Sequence, residues 1–180
     1  MEILEGLKSK LVAKEPAPGE LKRASVAVIF EHADSPSVLL IKRADRAGDP
    51  WSGQIAFPGG KSQEGDGTAE GTATREAREE MGIDLQKDAD FLGYFGSFRT
   101  HSGTLEVIPA IFLVRKEVEV YPNEEVSTYR WVKLEELVAE RSRSTIKIES
   151  GGQTREAPAL LVDGFTVWGL THRVILSLLG

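Results

Sequence analysis

An α/β sandwich is the fold class that this sequence of 180 residues predicts. Three observations predict it. Short β-branched, apolar runs read as buried strands; stretches of helical period lie between them; and one such stretch follows directly on a glycine-rich turn. The length fits one domain over residues 1–180, long enough to bury a core without disulfides or structural metals. No repeat, low-complexity tract or second-domain boundary interrupts it.

The elements follow in order. Ile3, Leu4, Leu7, Leu11 and Val12 recur at helical spacing and predict a short amphipathic helix over 2–13. Residues 14–20 hold two prolines and a glycine and read as a linker. Strands are expected at 24–30 and 38–41 around a turn at 32–36, with a loop at 48–53. A short strand at 54–57 stops at Pro58-Gly59-Gly60. Residues 68–81 read as a helix closed by Gly82. A strand at 91–99, a polar loop at 100–103 and a long strand at 104–114 come next; Pro109 inside the last points to an edge or a bulge. A loop with Glu124 and Glu125 precedes a strand at 129–132 and a short helix at 134–139. Short strands at 146–148, 159–162 and 165–168 are joined by turns at Ser150-Gly151-Gly152 and Asp163-Gly164. Thr171 is expected to cap a last helix carrying Val174, Ile175, Leu178 and Leu179. Residues 141–164 are the least legible part and read as a substrate lid or a dimer arm.

Composition narrows the function. With 28 acidic and 22 basic residues the net charge is −6, which disfavours nucleic acid as a partner. The absence of cysteine excludes a disulfide scaffold, a thiolate metal site and a cysteine nucleophile. No apolar run is long enough to span a bilayer, and the first residues lack the basic-then-apolar order of a signal peptide. A cytoplasmic protein with no membrane partner is expected.

The most informative segment is GGKSQEGDGTAEGTATREAREEMGI, residues 59–83. Glu76, Glu79 and Glu80 stand at i, i+3 and i+4, so a helix places three carboxylates on one face within one turn. Like charges so spaced cost a bare helix a few tenths of a kcal/mol per pair. A bound divalent cation reverses that sign, and an all-oxygen donor set favours Mg²⁺ or Mn²⁺. The plainer alternative is a solvated acidic face. Arg75, four residues before Glu79, can fix that carboxylate. Ala73, Ala77 and Met81 form a neighbouring stripe able to pack on a sheet.

These residues resemble the Nudix box, G-x5-E-x7-R-E-U-x-E-E-x-G-U with U apolar. Gly60, Arg75, Glu76, Ala77, Glu79, Glu80, Gly82 and Ile83 match it. Two departures stand out: the loop acid is Asp66 rather than Glu, and eight residues rather than seven separate it from Arg75. Both are similar to the Nudix subgroup that cleaves coenzyme A. Further likeness to that subgroup runs through residues 39–60, in Leu39, Leu40, Arg43, Arg46, Gly53, Gln54, Phe57 and Pro58, and through residues 166–172. Trp51 departs from it, since that position is commonly histidine there.

The resemblance implies a Nudix-type α/β/α sandwich with a mixed central sheet. It implies a Mg²⁺- or Mn²⁺-dependent hydrolase that cleaves a nucleoside diphosphate linked to another group by attack of water on the pyrophosphate. Coenzyme A, or a related ADP-containing compound, is the expected substrate. The alternatives are ADP-ribose or another nucleotide, and a catalytically silent nucleotide-binding module. Glu76, Glu79 and Glu80 become metal ligands; Arg75, Glu79 and Glu80 become catalytic; the Gly59 carbonyl becomes an extra ligand; and Asp66 braces the loop or helps with the metal. Arg43, Arg46, Gln54 and Arg99 are the expected substrate-binding residues, with the two loop arginines suited to phosphate. Arg43 and Arg46 also read as ordinary solvated charges, and Trp51 either stacks on a base or packs into its own loop. The general base is left among Glu80, Glu124 and Glu125, and the two loop acids read equally as solvated turn residues. Nudix proteins are often homodimers, but the sequence marks no interface.

Overall fold

A computed structural model describes residues 6–31, 35–49, 51–150 and 152–180. Its main sheet has eight strands. Five form the path β3 (Ile55–Ala56), β2 (Ser37–Arg43), β1 (Lys22–Glu31), β7 (Leu105–Val114) and β5 (Ala89–Tyr94). The others attach to it: β4 (Gly59–Lys61) pairs with β1, β6 (Phe98–Arg99) with β7, and β8 (Val126–Lys133) with β2. Among the described strands only β1 and β7 run parallel, in register from Lys22 opposite Leu105 to Glu31 opposite Val114, so the sheet is mixed. A second sheet of three antiparallel strands has the order β11 (Phe165–Trp168), β10 (Gln153–Val162), β9 (Arg143–Ser150).

Beyond the helical residues 6–8, the described α-helices are α1 (Ala69–Met81), α2 (Leu85–Asp88), α3 (Leu134–Val138) and α4 (Gly169–Leu179). The main sheet lies between two apolar layers. Ala27, Ile29, Leu39, Ile41, Ile108 and Phe112 meet Ala73, Ala77 and Met81 of α1 on one side. Val28, Phe30, Leu40 and Ile111 meet α3, α4 and the inner residues of β10 and β11 on the other. Both faces of β1 and β2 are therefore covered, which is why these strands read as continuous apolar runs rather than alternating ones.

Several elements differ from their sequence expectations for physical reasons. Residues 1–5, 32–34, 50 and 151 lie outside the described residues, and with them parts of the first helix and of the turns at 32–36, 48–53 and 150–152. The first helix ends by residue 8, and Val12 instead forms an isolated bridge with Tyr94. Gly59–Gly60 is not a stop but part of β4, lying against Ser25 and Val26. The strand expected at 91–99 breaks into β5 and β6.

That break accommodates Pro109. The proline is in an interior strand, paired with Val26 on one side, while β5 ends opposite Ala110 and β6 begins opposite Val107 on the other. The Phe95 N–H donates to the Pro109 carbonyl at 3.0 Å, so the missing proline donor faces the gap. Thr171 is not the cap of α4: Trp168 holds that position, and the Thr171 hydroxyl, one turn in, donates to the Ile55 carbonyl at 3.0 Å. Within residues 141–164, the least legible stretch, β9 pairs antiparallel with β10.

Candidate active site

Helix α1 is fixed at both ends. The Thr68 hydroxyl accepts from Gly71 N–H at 3.0 Å, and Gly82 ends the helix with φ 70°, a left-handed conformation suited to glycine. Glu15, in the linker, reaches across to accept from Ala69 N–H at 3.0 Å while it pairs with Arg23. The stripe of Ala73, Ala77 and Met81 is fully buried, as its spacing predicts.

Asp66 and Arg75 form the anchor. Arg75 Nε donates to Asp66 Oδ1 at 2.8 Å, and a terminal nitrogen reaches Asp66 Oδ2 and the Lys61 carbonyl, each at 3.1 Å. Asp66 Oδ2 also accepts from the Thr72 hydroxyl and Gln63 N–H, both at 2.8 Å. The Arg75 guanidinium holds the Asp66 carboxyl down to about 2, and Asp66 in turn raises the pKa of Arg75. The other terminal nitrogen of Arg75 donates to Glu76 at 2.8 Å and Glu79 at 3.1 Å. The shortened loop acid thus braces the arginine, and the arginine aligns two of the three box glutamates.

The glutamates differ in setting. The Glu79 side chain is 56% exposed, with its carboxylate held by Arg75. Glu80 is buried; it accepts from Gly59 N–H at 2.9 Å and has an Arg43 nitrogen 3.9 Å away. Burial, aided by the neighbouring charges of Glu76 and Glu125, pushes its carboxyl up to about 7. Burial also raises Glu76, with Glu79 and Glu125 adding to it. Glu76 lies where a Cβ on Gly60 would be, so only glycine leaves room for that carboxylate. Gly59 allows a different approach: its missing Cβ would run into the Ser25 carbonyl and Val26 of β1.

Two loops close around this acidic group. Loop 121–125 docks on the end of α1, with Tyr121 N–H on the Met81 carbonyl at 2.8 Å and Asn123 N–H on the Glu80 carbonyl at 2.9 Å. The Asn123 side chain accepts from Glu125 N–H at 2.8 Å. Loop 44–54 comes from the other side. Arg46 pairs with Glu125 at 3.2 Å and Glu124 at 3.6 Å, and Arg43 pairs with Asp49 at 3.0 Å. Burial alone would raise the Asp49 carboxyl, but bonds from Trp51 N–H and Arg43 hold it below the usual range. Sequence reasoning missed Asp49, Thr72 and Asn123; an Asp in Gly-Asp-Pro and an Asn after proline both read only as turn residues.

Of the predicted residues, Arg43, Arg46, Arg75, Glu76, Glu79, Glu80 and Glu125 come together. Arg99 does not join them through any described hydrogen bond or ion pair; it sits on β6, where its carbonyl accepts from Arg173 at 2.7 Å. Trp51 is 40% exposed rather than packed into its loop. Gln54 faces a cleft of about 520 Å³ on the sheet side opposite α1, lined also by Lys42, Arg130, Phe165 and Trp168. Arg130 pairs with Asp163 at 3.4 Å and lies 5.8 Å from the centre of the Phe165 ring. The Arg43 N–H donates to the Gln54 carbonyl at 3.0 Å and so links the cleft rim to the acidic side.

The donor set is all oxygen, which suits a hard divalent cation. A buried Glu80 raised by burial and by the charge of the half-buried Glu76 is also the charge pattern a cation relieves. Among the described residues no three acidic side chains already converge at metal-ligand spacing. Arg75 holds Glu76 and Glu79 from one nitrogen, and Glu79 is the most exposed of the three box acids.

The profile of the NUDIX domain matches residues 21–149. A Yersinia pestis (strain Pestoides F) protein, called uncharacterized Nudix hydrolase NudL, is 31% identical over 155 residues, covering 86% of this chain and 76% of the relative. Two solved structures share the fold. A MutT/nudix family protein from Enterococcus faecalis has a TM-score of 0.60 at 20% identity, over 99% of this chain and 66% of that one. A MutT protein from Methanosarcina mazei Go1 has a TM-score of 0.51 at 24% identity, over 71% of this chain and 84% of that one. With the family profile spanning most of its length and the box built as described, this chain belongs to the NUDIX domain family and is a Nudix hydrolase acting on nucleoside diphosphate derivatives.

Proposed function

We propose that residues 1–180 act as one hydrolase domain that cleaves coenzyme A, or a closely related ADP-containing compound, with Mg²⁺ or Mn²⁺. One observation carries the substrate reading. The two stretches outside the box that resemble the coenzyme A-cleaving subgroup, 39–60 and 166–172, meet at a single cleft, the first through Lys42 and Gln54 and the second through Thr166 and Trp168. That cleft offers cations and aromatic faces to the part of the substrate beyond the diphosphate. Glu76, Glu79 and Glu80 would hold the metal, which supplies charge neutralisation at the phosphates and a more acidic bound water. Arg75 keeps Glu76 and Glu79 aligned and is itself kept in place by Asp66. Arg43, beside Glu80, suits the diphosphate, while Glu80 and Glu125 are the two acids positioned to take the proton from the attacking water. Arg99 is the weakest of the proposed substrate contacts, given its place on β6.

A panel of coenzyme A, dephospho-coenzyme A, ADP-ribose, NADH and nucleoside triphosphates, with Mg²⁺ or Mn²⁺, tests this reading. Coenzyme A is expected to give 3′,5′-ADP and 4′-phosphopantetheine with the highest kcat/KM. Arg130→Ala should raise KM for coenzyme A more than for its dephospho form, whereas Arg43→Ala should affect both alike. Preference for ADP-ribose over coenzyme A would overturn the substrate and leave the metal chemistry standing.

A further inference from the structure

The second sheet ends in an open strand. No described strand pairs with the outer side of β9. Which backbone groups face that side follows from three observations. The Ser150–Gln153 pair flanks a two-residue connection, so it exchanges both backbone bonds, and Ile148, Ile146 and Ser144 in turn face β10. Thr145 pairs with Pro158, which has no N–H to give, in agreement with its facing outward. Arg143 N–H turns away from β10 to donate to the Glu140 carbonyl. The free edge therefore presents the backbone groups of Thr145, Lys147 and Glu149 and the Arg143 carbonyl.

We propose that this edge pairs antiparallel with β9 of a second copy of the chain, about a two-fold axis through Ile146, joining the two small sheets into one. The side chains select this occupant and register. With the axis at Ile146, exposed Arg143 lies opposite Glu149 of the partner subunit, twice by symmetry, and Thr145 lies opposite Lys147 of the partner subunit. The half-buried Ile146 meets its own copy. Moving the axis to Lys147 sets that lysine against itself, and moving it to Thr145 sets Arg143 against Lys147. An axis at Ile148 runs the pairing off into the turn. In the Ile146 register about six backbone hydrogen bonds form across the axis. A strand edge left unpaired is otherwise an open template for unspecific pairing.

The absence of cysteine makes the test direct. In this register the two Ile146 positions form a non-hydrogen-bonded pair, about 4.5 Å apart at Cα, within disulfide reach. Ile146→Cys should convert to a covalent dimer on mild oxidation, while Lys147→Cys, whose partner is Thr145, should stay largely uncrosslinked. Sedimentation equilibrium should show a wild-type dimer whose Kd rises on the order of tenfold in Arg143→Glu and recovers in Arg143→Glu/Glu149→Arg. A wild-type monomer at about 100 µM would overturn the proposal. So would a dimer unaffected by Arg143→Glu together with no crosslink at Ile146→Cys.

Discussion

Two acids at helix α1, one beside it and one on it, are in opposite conditions. Asp66, beside the helix, is satisfied by Arg75, Thr72 and Gln63 and held down to about 2. Glu80, one turn away from Arg75, is buried with a single backbone donor, and burial pushes it up to about 7. The first arrangement contributes stability; the second stores electrostatic cost at a place where a cation would relieve it. The two carboxylates are therefore distinguishable by their partners alone.

The largest expected effect breaks the second arrangement. Glu80→Gln should lower Mg²⁺-dependent turnover by about three orders of magnitude with an unchanged circular dichroism spectrum. Turnover within tenfold of wild type would remove Glu80 from the reaction. Next come the paired glycines. Gly59→Ala pushes a methyl into β1 backbone and should cost about 3 kcal/mol in urea unfolding. Gly60→Ala meets only the Glu76 carboxylate, so it should lose activity while stability changes by less than about 1 kcal/mol.

Asp66→Asn tests the anchor and should cost about 2 kcal/mol at pH 7. The Asp66 pKa is depressed in the folded state, so its contribution is full above the ordinary 3.8 and is lost as pH falls toward about 2. Wild-type and mutant unfolding curves should converge across that window. The smallest effect has the opposite sign. The Glu80 pKa is raised, so its favourable contribution is confined to pH below the ordinary 4.5 and is lost as pH rises through about 7. In EDTA at pH 8, Glu80→Gln should be more stable than wild type by about 1 kcal/mol, and the gap should close near pH 4.5.

Much of this site was legible in the sequence because it is local. Thr68, Arg75, Glu76, Glu79, Glu80 and Gly82 lie within one helix and its caps, where spacing dictates geometry. The brace by Asp66 was only half legible: its proximity was visible, but not that Thr72 and Arg75 both bind it. Contacts formed by distant loops were not legible at all. Asn123 links Glu80 and Glu125 through its own N–H and its side-chain oxygen, bonds that leave no periodic trace, and Asp49 claims Arg43 from within a turn. The fold shows the same division. The strand at Pro109 was visible, but its interior position depends on a break in the neighbouring strand, at residues 95–97. Thr171 carried the chemistry of a cap and used it instead on the carbonyl of Ile55.

Parallel pairing of β1 with β7 also sets the order of assembly. Ser25 donates its hydroxyl to the Ile108 carbonyl across 83 positions, so the centre of the sheet closes only after a long loop has been drawn in. The box helix lies inside that loop. During synthesis α1 is complete before β7 exists, and its small apolar stripe has no Ile108, Ala110 or Phe112 to rest on. The glutamate cluster is thus finished only after a long loop has closed. A nascent chain cut short before residue 105 carries the whole box motif and no site.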